Sequence, residues 1–173
     1  MTEIFGVPIQ ALMGQLMLGL VNGSFYAILS LGLAVIFGML NIVNFAHGAL
    51  YMAGAFFAWM LLNYAGINYW MALVIAPIGV GLIGVLIEKT MLRWLHQLDH
   101  LYGLLLTFGL ALILEGIFRE FYGSSGLPYE LPDVFRGVFD LGFMMLPKYR
   151  VWVIVVSIVL CFATWFVIEK TKL

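Results

Sequence analysis

Long apolar stretches separated by short polar ones dominate the chain. Between Ile4 and Ile87 there is no Asp, Glu, Lys or Arg, and the group there that titrates closest to neutrality is His47. A bilayer core of about 30 Å requires roughly 20 apolar residues per helix, so this uncharged region is long enough for about three crossings. The pattern predicts an all-α integral membrane protein with about five transmembrane or re-entrant helices.

The predicted spans lie at about residues 9–39, 42–62, 69–87, 101–118 and 151–168. Polar residues interrupt the second span near its start, so we expect its helix to be broken or unwound there, or the element to be re-entrant. A charged connector follows the third span from Glu88 to His100. Residues 119–150 form a loop in which the alternating run Val138-Phe139-Asp140-Leu141 favours short strands or a small β-hairpin. We treat residues 1–173 as a single, partial membrane domain.

Composition and charge agree with a membrane protein and give it an orientation. Hydrophobic residues make up 64% of the chain and charged residues 10%, against about 45–50% and about 25% in soluble domains. The net charge of -1 provides no basic patch for nucleic acid. Lys89 and Arg93 lie in the short connector and Lys170 and Lys172 near the end of the chain. The positive-inside rule therefore predicts that these segments are cytoplasmic and that the loop at 119–150 is extracytoplasmic.

Three glycines in the third predicted span have the spacing of a dinucleotide-binding fingerprint. The run Gly79-Val80-Gly81-Leu82-Ile83-Gly84 lies within an apolar segment, with no strand before it and no acidic residue about twenty positions later. Small residues at such spacing more simply allow helices to approach closely, which we also expect of Gly19 with Gly23 and of Gly54 with Ala58. We therefore predict no cofactor.

The polar residues Asn41, Asn44, His47 and Gly48 in the second span are the candidate transport-path residues. An amide or imidazole in hydrocarbon is costly unless it is paired or faces water. In one interpretation these residues line or gate a solute path, where a broken helix offers free backbone groups. In the other, Asn41 and Asn44 cap a helix at the membrane surface while His47 bonds a neighbouring carbonyl. The sequence leaves both interpretations open.

The remaining titratable residues favour structural roles. Glu115 is expected to pair with Arg119, one helical turn later. His96 and His100 have the spacing of two metal ligands on one helix face, but they lack a catalytic Glu and a third ligand, so no metal site is predicted. A membrane-embedded enzyme using His47 as a base would need a carboxylate or nucleophile partner, which the sequence does not supply.

Several runs of residues resemble one family of permeases. Its opening is matched by Asn22-Gly23-Ser24-Phe25-Tyr26-Ala27-Ile28 and by Gly38-Met39-Leu40-Asn41-Ile42-Val43-Asn44-Phe45-Ala46-His47-Gly48. Its connector, fourth helix and outer loop are similar to Ile87-Glu88-Lys89, Leu101-Tyr102-Gly103-Leu104-Leu105-Leu106-Thr107-Phe108-Gly109-Leu110 and Gly126-Leu127-Pro128-Tyr129. The chain thus resembles the LivH-type permease subunits of branched-chain amino-acid ABC importers, and Asn-Phe-Ala-His-Gly is the specific part of the match.

The resemblance implies a multi-pass permease subunit of the cell inner membrane that moves a branched-chain amino acid. Its implied partners are the lipid bilayer, a second related permease subunit, two ATPase subunits and an extracytoplasmic solute-binding protein. The chain itself is not expected to be an enzyme, since ATP hydrolysis belongs to the ATPase subunits.

Two alternatives and one departure accompany the resemblance. Similar family members transport urea or short amides, which is one alternative, and a self-sufficient channel or secondary carrier is the other. The lack of paired intramembrane acids counts against an ion-coupled carrier. Such permeases continue through further spans and a cytoplasmic coupling loop, whereas this sequence ends at Leu173. We therefore expect an N-terminal part of a permease, with the C-terminal spans and coupling loop missing.

Overall fold

A computed structural model describes residues 3–4, 7–40, 44–95, 98–142 and 144–170. Within these residues five helices are long and apolar enough to cross a membrane. They are α1 (Ile9–Leu40), α2 (Ala46–Ala65), α3 (Tyr69–Ile87), α4 (His100–Tyr122) and α5 (Lys148–Lys170). The predicted all-α membrane fold is confirmed.

The chain divides into two compact units, which we describe separately. The central unit comprises Leu33–Glu130, and the terminal unit comprises Met1–Gly32 together with Leu131–Leu173. The central unit contains α2, α3 and α4, and the terminal unit contains α5, most of α1 and two small antiparallel strand pairs.

A tight turn joins α2 to α3 in the central unit. Gly66 ends α2 in the left-handed conformation, with φ of 65°, and its N–H donates to the Leu62 carbonyl at 3.1 Å. Glycine adopts this conformation without the penalty that a Cβ would bring. Asn68 then starts α3, because its side-chain oxygen accepts a hydrogen bond from the Met71 N–H at 3.0 Å. The turn thus ends one helix and begins the next within three residues.

Two glycines allow α2 and α3 to pack closely. A Cβ added at Gly54 would meet the Val80 side chain at 3.7 Å, which is ordinary contact. A Cβ added at Gly79 would lie 2.9 Å from Cζ of the Phe57 ring and still closer to its Cε1. The expected role of small residues in helix approach is confirmed at these two positions. Gly81, by contrast, has nothing within 4 Å of an added Cβ.

Helix α3 continues past the end of the predicted span. A π-helical turn at Glu88–Leu92 and a last turn at Arg93–Leu95 extend it into the charged connector. Charged side chains can leave the membrane without disturbing backbone hydrogen bonds, so the end of an apolar stretch is not the end of its helix. Leu92 in this extension is buried, at 8% exposure. His96, which has the spacing of a metal ligand with His100, lies outside the described residues.

Helix α4 is longer at both ends than its predicted span. Asp99 begins it by accepting a hydrogen bond from the Leu101 N–H at 3.1 Å, and Gly123 ends it with a φ of 77°. Arg119 Nη2 lies 3.3 Å from Glu115 Oε1 on its surface, so the predicted pairing is confirmed. Both side chains of that pair are more than half exposed.

Helices α1 and α5 meet through serines in the terminal unit. The Ser157 hydroxyl donates to the Ser24 carbonyl at 3.1 Å, and the Ser24 hydroxyl donates to the Leu20 carbonyl of its own helix at 2.8 Å. Gly19 and Gly23 lie beside this contact, and each has nothing within 4 Å of an added Cβ. They line an open cavity of about 390 Å³ and do not form a close contact, contrary to the expectation for this glycine pair. Both serines line the same cavity as the two glycines, so the hydrogen bond joins the helices without closing the space between them.

The predicted β-hairpin is confirmed in the loop before α5. Strands β3 (Val138–Asp140) and β4 (Met145–Pro147) pair antiparallel, whereas β1 (Glu3–Ile4) and β2 (Val7–Pro8) form the second small pair near the start of the chain. The ammonium of Lys148, which follows β4 directly, lies 5.7 Å from the centre of the Phe139 ring. Helix α5 therefore begins three residues before its predicted span, where β4 ends.

Candidate functional site

The polar run at the start of the predicted second span lies before α2, which is unbroken from Ala46 to Ala65, so the expected break within the second helix is not found in the described residues. We call residues 44–48 the break segment; Asn44 and Phe45 are not helical, and Ala46 is the first residue of α2. Helix α2 thus begins later than the predicted start at residue 42, because Asn44 offers its own side chain to the backbone in place of helical bonds. Asn41, also a candidate path residue, lies outside the described residues.

Asn44 satisfies the first amides of α2. Its Oδ1 accepts a hydrogen bond from the Ala46 N–H at 2.9 Å, and its backbone carbonyl accepts one from the His47 N–H at 3.4 Å. The first four N–H groups of a helix have no partner within the helix, and membrane interiors offer little water to replace one. Asn44 thus bonds the start of α2 from the position before the N-cap residue Phe45, which makes no side-chain cap bond of its own, and the Asn44 side chain is half-buried.

Thr107 of α4 provides the next bond of the break segment. The Phe45 N–H donates to Thr107 Oγ1 at 3.2 Å, and the same hydroxyl donates to the Leu104 carbonyl at 3.0 Å. Thr107 is almost completely buried, at 1% exposure. The Phe45 ring meets the Phe108 ring edge to face, with centroids 6.2 Å apart. The break segment is thus attached to α4 by one polar and one aromatic contact.

Sequence reasoning did not single out Thr107 as a site residue. The available signal was a hydroxyl within the apolar run of α4, eight residues before its first charge at Glu115. A threonine can satisfy its hydroxyl on its own helix, so this signal does not identify a long-range partner.

The first turn of α2 combines a polar side chain with a small exposed residue. His47 is half-buried, whereas Ala46 is buried at 2% exposure. Gly48 is exposed, and nothing lies within 4 Å of a Cβ added there. The structure thus brings Asn44, His47 and Gly48 together over one turn. An amide, an imidazole and a glycine without a covering neighbour thus lie side by side at the start of α2.

Metal chemistry finds no support in the part of the chain that the structure describes. No group of three His, Cys, Asp or Glu side chains there could hold a metal ion. His100 is exposed at the start of α4. The described residues therefore contain no cluster of side chains suited to a metal ion.

Aromatic side chains cluster at the other end of α2, in what we call the aromatic layer. Phe56 stacks on Phe118 with centroids 4.4 Å apart, and Trp59 meets Tyr122 edge to face at 5.6 Å. Tyr64 lies against the same indole ring, at 5.8 Å. Amphipathic rings at the ends of membrane helices are typical of the membrane interface.

The loop that follows α4 is held by the aromatic layer and by the start of α3. Trp59 Nε1 donates a hydrogen bond to the Pro128 carbonyl at 3.1 Å, and the Tyr129 ring lies 6.2 Å from the Tyr69 ring. Burial, and to a lesser degree the neighbouring Tyr69, raise the pKa of the Tyr129 phenol above its ordinary value. The loop is therefore fastened at two consecutive residues.

Among the described residues, five helices long and apolar enough to cross a membrane indicate a multi-pass integral membrane protein, with a hydrogen-bonded polar stretch before the second of them. Residues 15–173 match the family described as branched-chain amino acid transport system, permease component. The chain therefore belongs to this permease family, and the resemblance carried by the Asn-Phe-Ala-His-Gly run is confirmed.

Curated relatives agree with the family assignment. The high-affinity branched-chain amino acid transport system permease protein BraD of Pseudomonas aeruginosa is 25% identical over 170 residues, which cover 92% of this chain and 55% of BraD. The corresponding protein LivH of Salmonella typhimurium is 29% identical over 136 residues, covering 74% of this chain and 44% of LivH. LivH of Escherichia coli strain K12 is 28% identical over the same length. The chain thus spans about half the length of these relatives. No solved structure matches it significantly.

Proposed function

We propose that this protein is a transmembrane permease subunit of an ABC importer for branched-chain amino acids. The observation that carries the proposal is the family match over residues 15–173, which includes all of the break segment and the last four helices. Its relatives BraD and LivH are named as permease proteins of high-affinity branched-chain amino acid transport systems. In this role the chain moves solute across the bilayer and carries out no covalent chemistry.

The proposal includes partners and a location. The permease acts in the cell inner membrane with a second related permease, two ATPase subunits that hydrolyse ATP, and an extracytoplasmic solute-binding protein. Lys89 and Arg93 at the end of α3 and Lys170 at the end of α5 favour a cytoplasmic location for those ends. The β3–β4 hairpin then lies on the extracytoplasmic side.

We further propose that Asn41, Asn44, His47 and Gly48 line the transport path. The support is the combination of half-buried polar side chains, an uncovered glycine and a backbone whose first amides are bonded outside the regular helix pattern. Polar groups within membrane segments are costly to maintain, and they concentrate where a protein-lined path admits water or solute.

Uptake by the assembled importer tests the transport proposal. The permease, as its genome encodes it, is reconstituted in proteoliposomes with its partner subunits, and uptake of radiolabelled leucine is measured. We expect uptake that requires both ATP and the solute-binding protein, with competition by valine and isoleucine but not by urea or acetamide. Uptake without ATP would support a channel or carrier, and uptake of urea or acetamide instead of leucine would assign the other solute class.

Two alanine substitutions, one at each of two histidines, test the proposed path. His47→Ala removes the imidazole of the break segment, while His100→Ala removes an exposed imidazole at the start of α4. We expect the first change to lower maximal leucine uptake about three- to tenfold, the effect of one lost hydrogen bond, and the second to leave it unchanged. Uptake is normalised to the amount of permease in the membrane. Equal uptake by the two variants contradicts a role for His47 in the path.

A further inference from the structure

We propose that Thr107 of α4 is a positioning residue for the break segment, because its hydroxyl fixes the Phe45 peptide group and with it the start of α2. The inference rests on the proposed function, since it assigns Thr107 a part in shaping the transport path. It adds a residue outside the Asn-Phe-Ala-His-Gly run to that path's machinery.

A hydrogen bond within α4 orients the Thr107 hydroxyl. Its one hydrogen is donated to the Leu104 carbonyl at 3.0 Å, within its own helix, which directs an oxygen lone pair elsewhere. The Phe45 N–H uses that lone pair at 3.2 Å. Thr107 is only 1% exposed, so its hydroxyl has little access to water. The hydroxyl is therefore a fixed acceptor for the backbone of another segment.

The Phe45 bond differs in kind from those of the next two residues. The Ala46 and His47 amides bond locally, to the side chain and carbonyl of Asn44. The Phe45 amide bonds to a residue 62 positions later in the chain. The local bonds shape the break segment, whereas the long-range bond ties it to α4. A movement of α4 along its axis would therefore be transmitted to the start of α2.

The aromatic contact beside this bond cannot replace it. The Phe45 and Phe108 rings meet at 78° with their centroids 6.2 Å apart, an arrangement that tolerates sliding and tilting. A hydrogen bond prefers an angle above about 150° and weakens steeply below about 120°, so it restricts the direction of the peptide group. An N–H that loses its acceptor also favours any rearrangement that supplies a new one. We thus assign the direction of the break segment to the hydroxyl and not to the rings.

Three variants separate this role from general packing. Thr107→Val keeps the shape of the side chain and removes the hydroxyl, and Thr107→Ser keeps the hydroxyl. Thr90→Val is the matched control, because the Thr90 hydroxyl donates to the Leu86 carbonyl of its own helix at 2.7 Å. All three are prepared in the permease as its genome encodes it, assembled with its partner subunits in nanodiscs or proteoliposomes.

The first measurement is hydrogen–deuterium exchange of the Phe45 amide, resolved by mass spectrometry of overlapping peptides. We expect this amide to be protected in the parent and to exchange about three- to tenfold faster in Thr107→Val, as for the loss of one hydrogen bond. Thr107→Ser and Thr90→Val should match the parent. A parent amide that exchanges at the rate of an unprotected one overturns the inference, even if the valine variant fails to reach the membrane.

The second measurement is maximal leucine uptake per permease in the membrane. We expect a loss of about three- to tenfold in Thr107→Val, restored in Thr107→Ser and absent in Thr90→Val. Equal uptake by the valine and serine variants overturns the positioning role. A parent complex that takes up no leucine refutes the proposed function instead, and the exchange result then decides whether Thr107 holds the break segment.

Discussion

Replacing Gly79 by alanine should disrupt the packing of α2 against α3. The new methyl group would lie 2.9 Å from Cζ and 3.0 Å from Cδ1 of the Phe57 ring, and closer still to its Cε1. The contact falls on three atoms of one rigid ring, so the ring or the helix must move as a whole. Overpacking of this kind typically costs about 1–3 kcal/mol, which is roughly a 5- to 150-fold change in the unfolding equilibrium.

Gly81→Ala is the matched control for this prediction. It makes the same chemical change two residues later in the same helix, where nothing lies within 4 Å of the added Cβ. Both substitutions gain the greater helix propensity of alanine, about 1 kcal/mol in water, so the difference between them isolates the clash. We expect Gly81→Ala to be neutral or stabilising and Gly79→Ala to be less stable than it by about 1–3 kcal/mol.

The assay is reversible unfolding of the purified permease in mixed micelles, followed by tryptophan fluorescence and circular dichroism. A double variant that also carries Phe57→Leu provides a further check, because a smaller and more flexible side chain relieves the clash. The double variant should be destabilised by less than the sum of its single changes. Equal stability of Gly79→Ala and Gly81→Ala would refute the packing described for α2 and α3.

Three further predictions concern contacts outside the break segment. Trp59→Phe removes the donor to the Pro128 carbonyl and should increase protease cleavage of the loop after α4 about three- to tenfold, with the helices still protected. Ser157→Ala leaves the Ser24 carbonyl without its buried donor and should lower the free energy of unfolding by about 1 kcal/mol, measured in the same micelles. Arg119→Ala removes only an exposed ion pair and should change that free energy by less than about 0.5 kcal/mol.

The features that follow from local chemistry could be predicted from the sequence. The uncharged stretch predicted the membrane helices, because hydrocarbon admits few charges. The polar run predicted an interruption of helical structure, and Asn44 and Phe45 are not helical, although the expected break within α2 is absent. Asn44 forms the local side-chain bond to the backbone that such a residue favours. The Glu115–Arg119 pair likewise follows from helical spacing alone.

The features that depend on long-range contacts could not be predicted in the same way. Gly79 and Gly81 look equivalent in the sequence, and only the position of Phe57 distinguishes them. Thr107 looks like any threonine in an apolar helix until the fold brings the Phe45 amide to it. The extension of α3 was missed for a different reason, since leaving the membrane and ending a helix are separate events.

The proposed transport path requires that the break segment faces water inside the membrane, and thiol labelling at Gly48 tests this directly. Gly48→Cys is made in a Cys161→Ala background, with Gly81→Cys as control, because both glycines are exposed and have space for a side chain. Gly81 lies on an apolar face of α3, near Ile78 and Val85 at 58% and 50% exposure.

Reaction with a hydrophilic reagent requires the thiolate, which forms in water and not in hydrocarbon. We predict that the cysteine at position 48 reacts at least about tenfold faster than that at position 81. We also predict that the labelling rate at position 48 changes when ATP, the solute-binding protein and leucine are present. Equally slow reaction of both cysteines would contradict a wetted break segment.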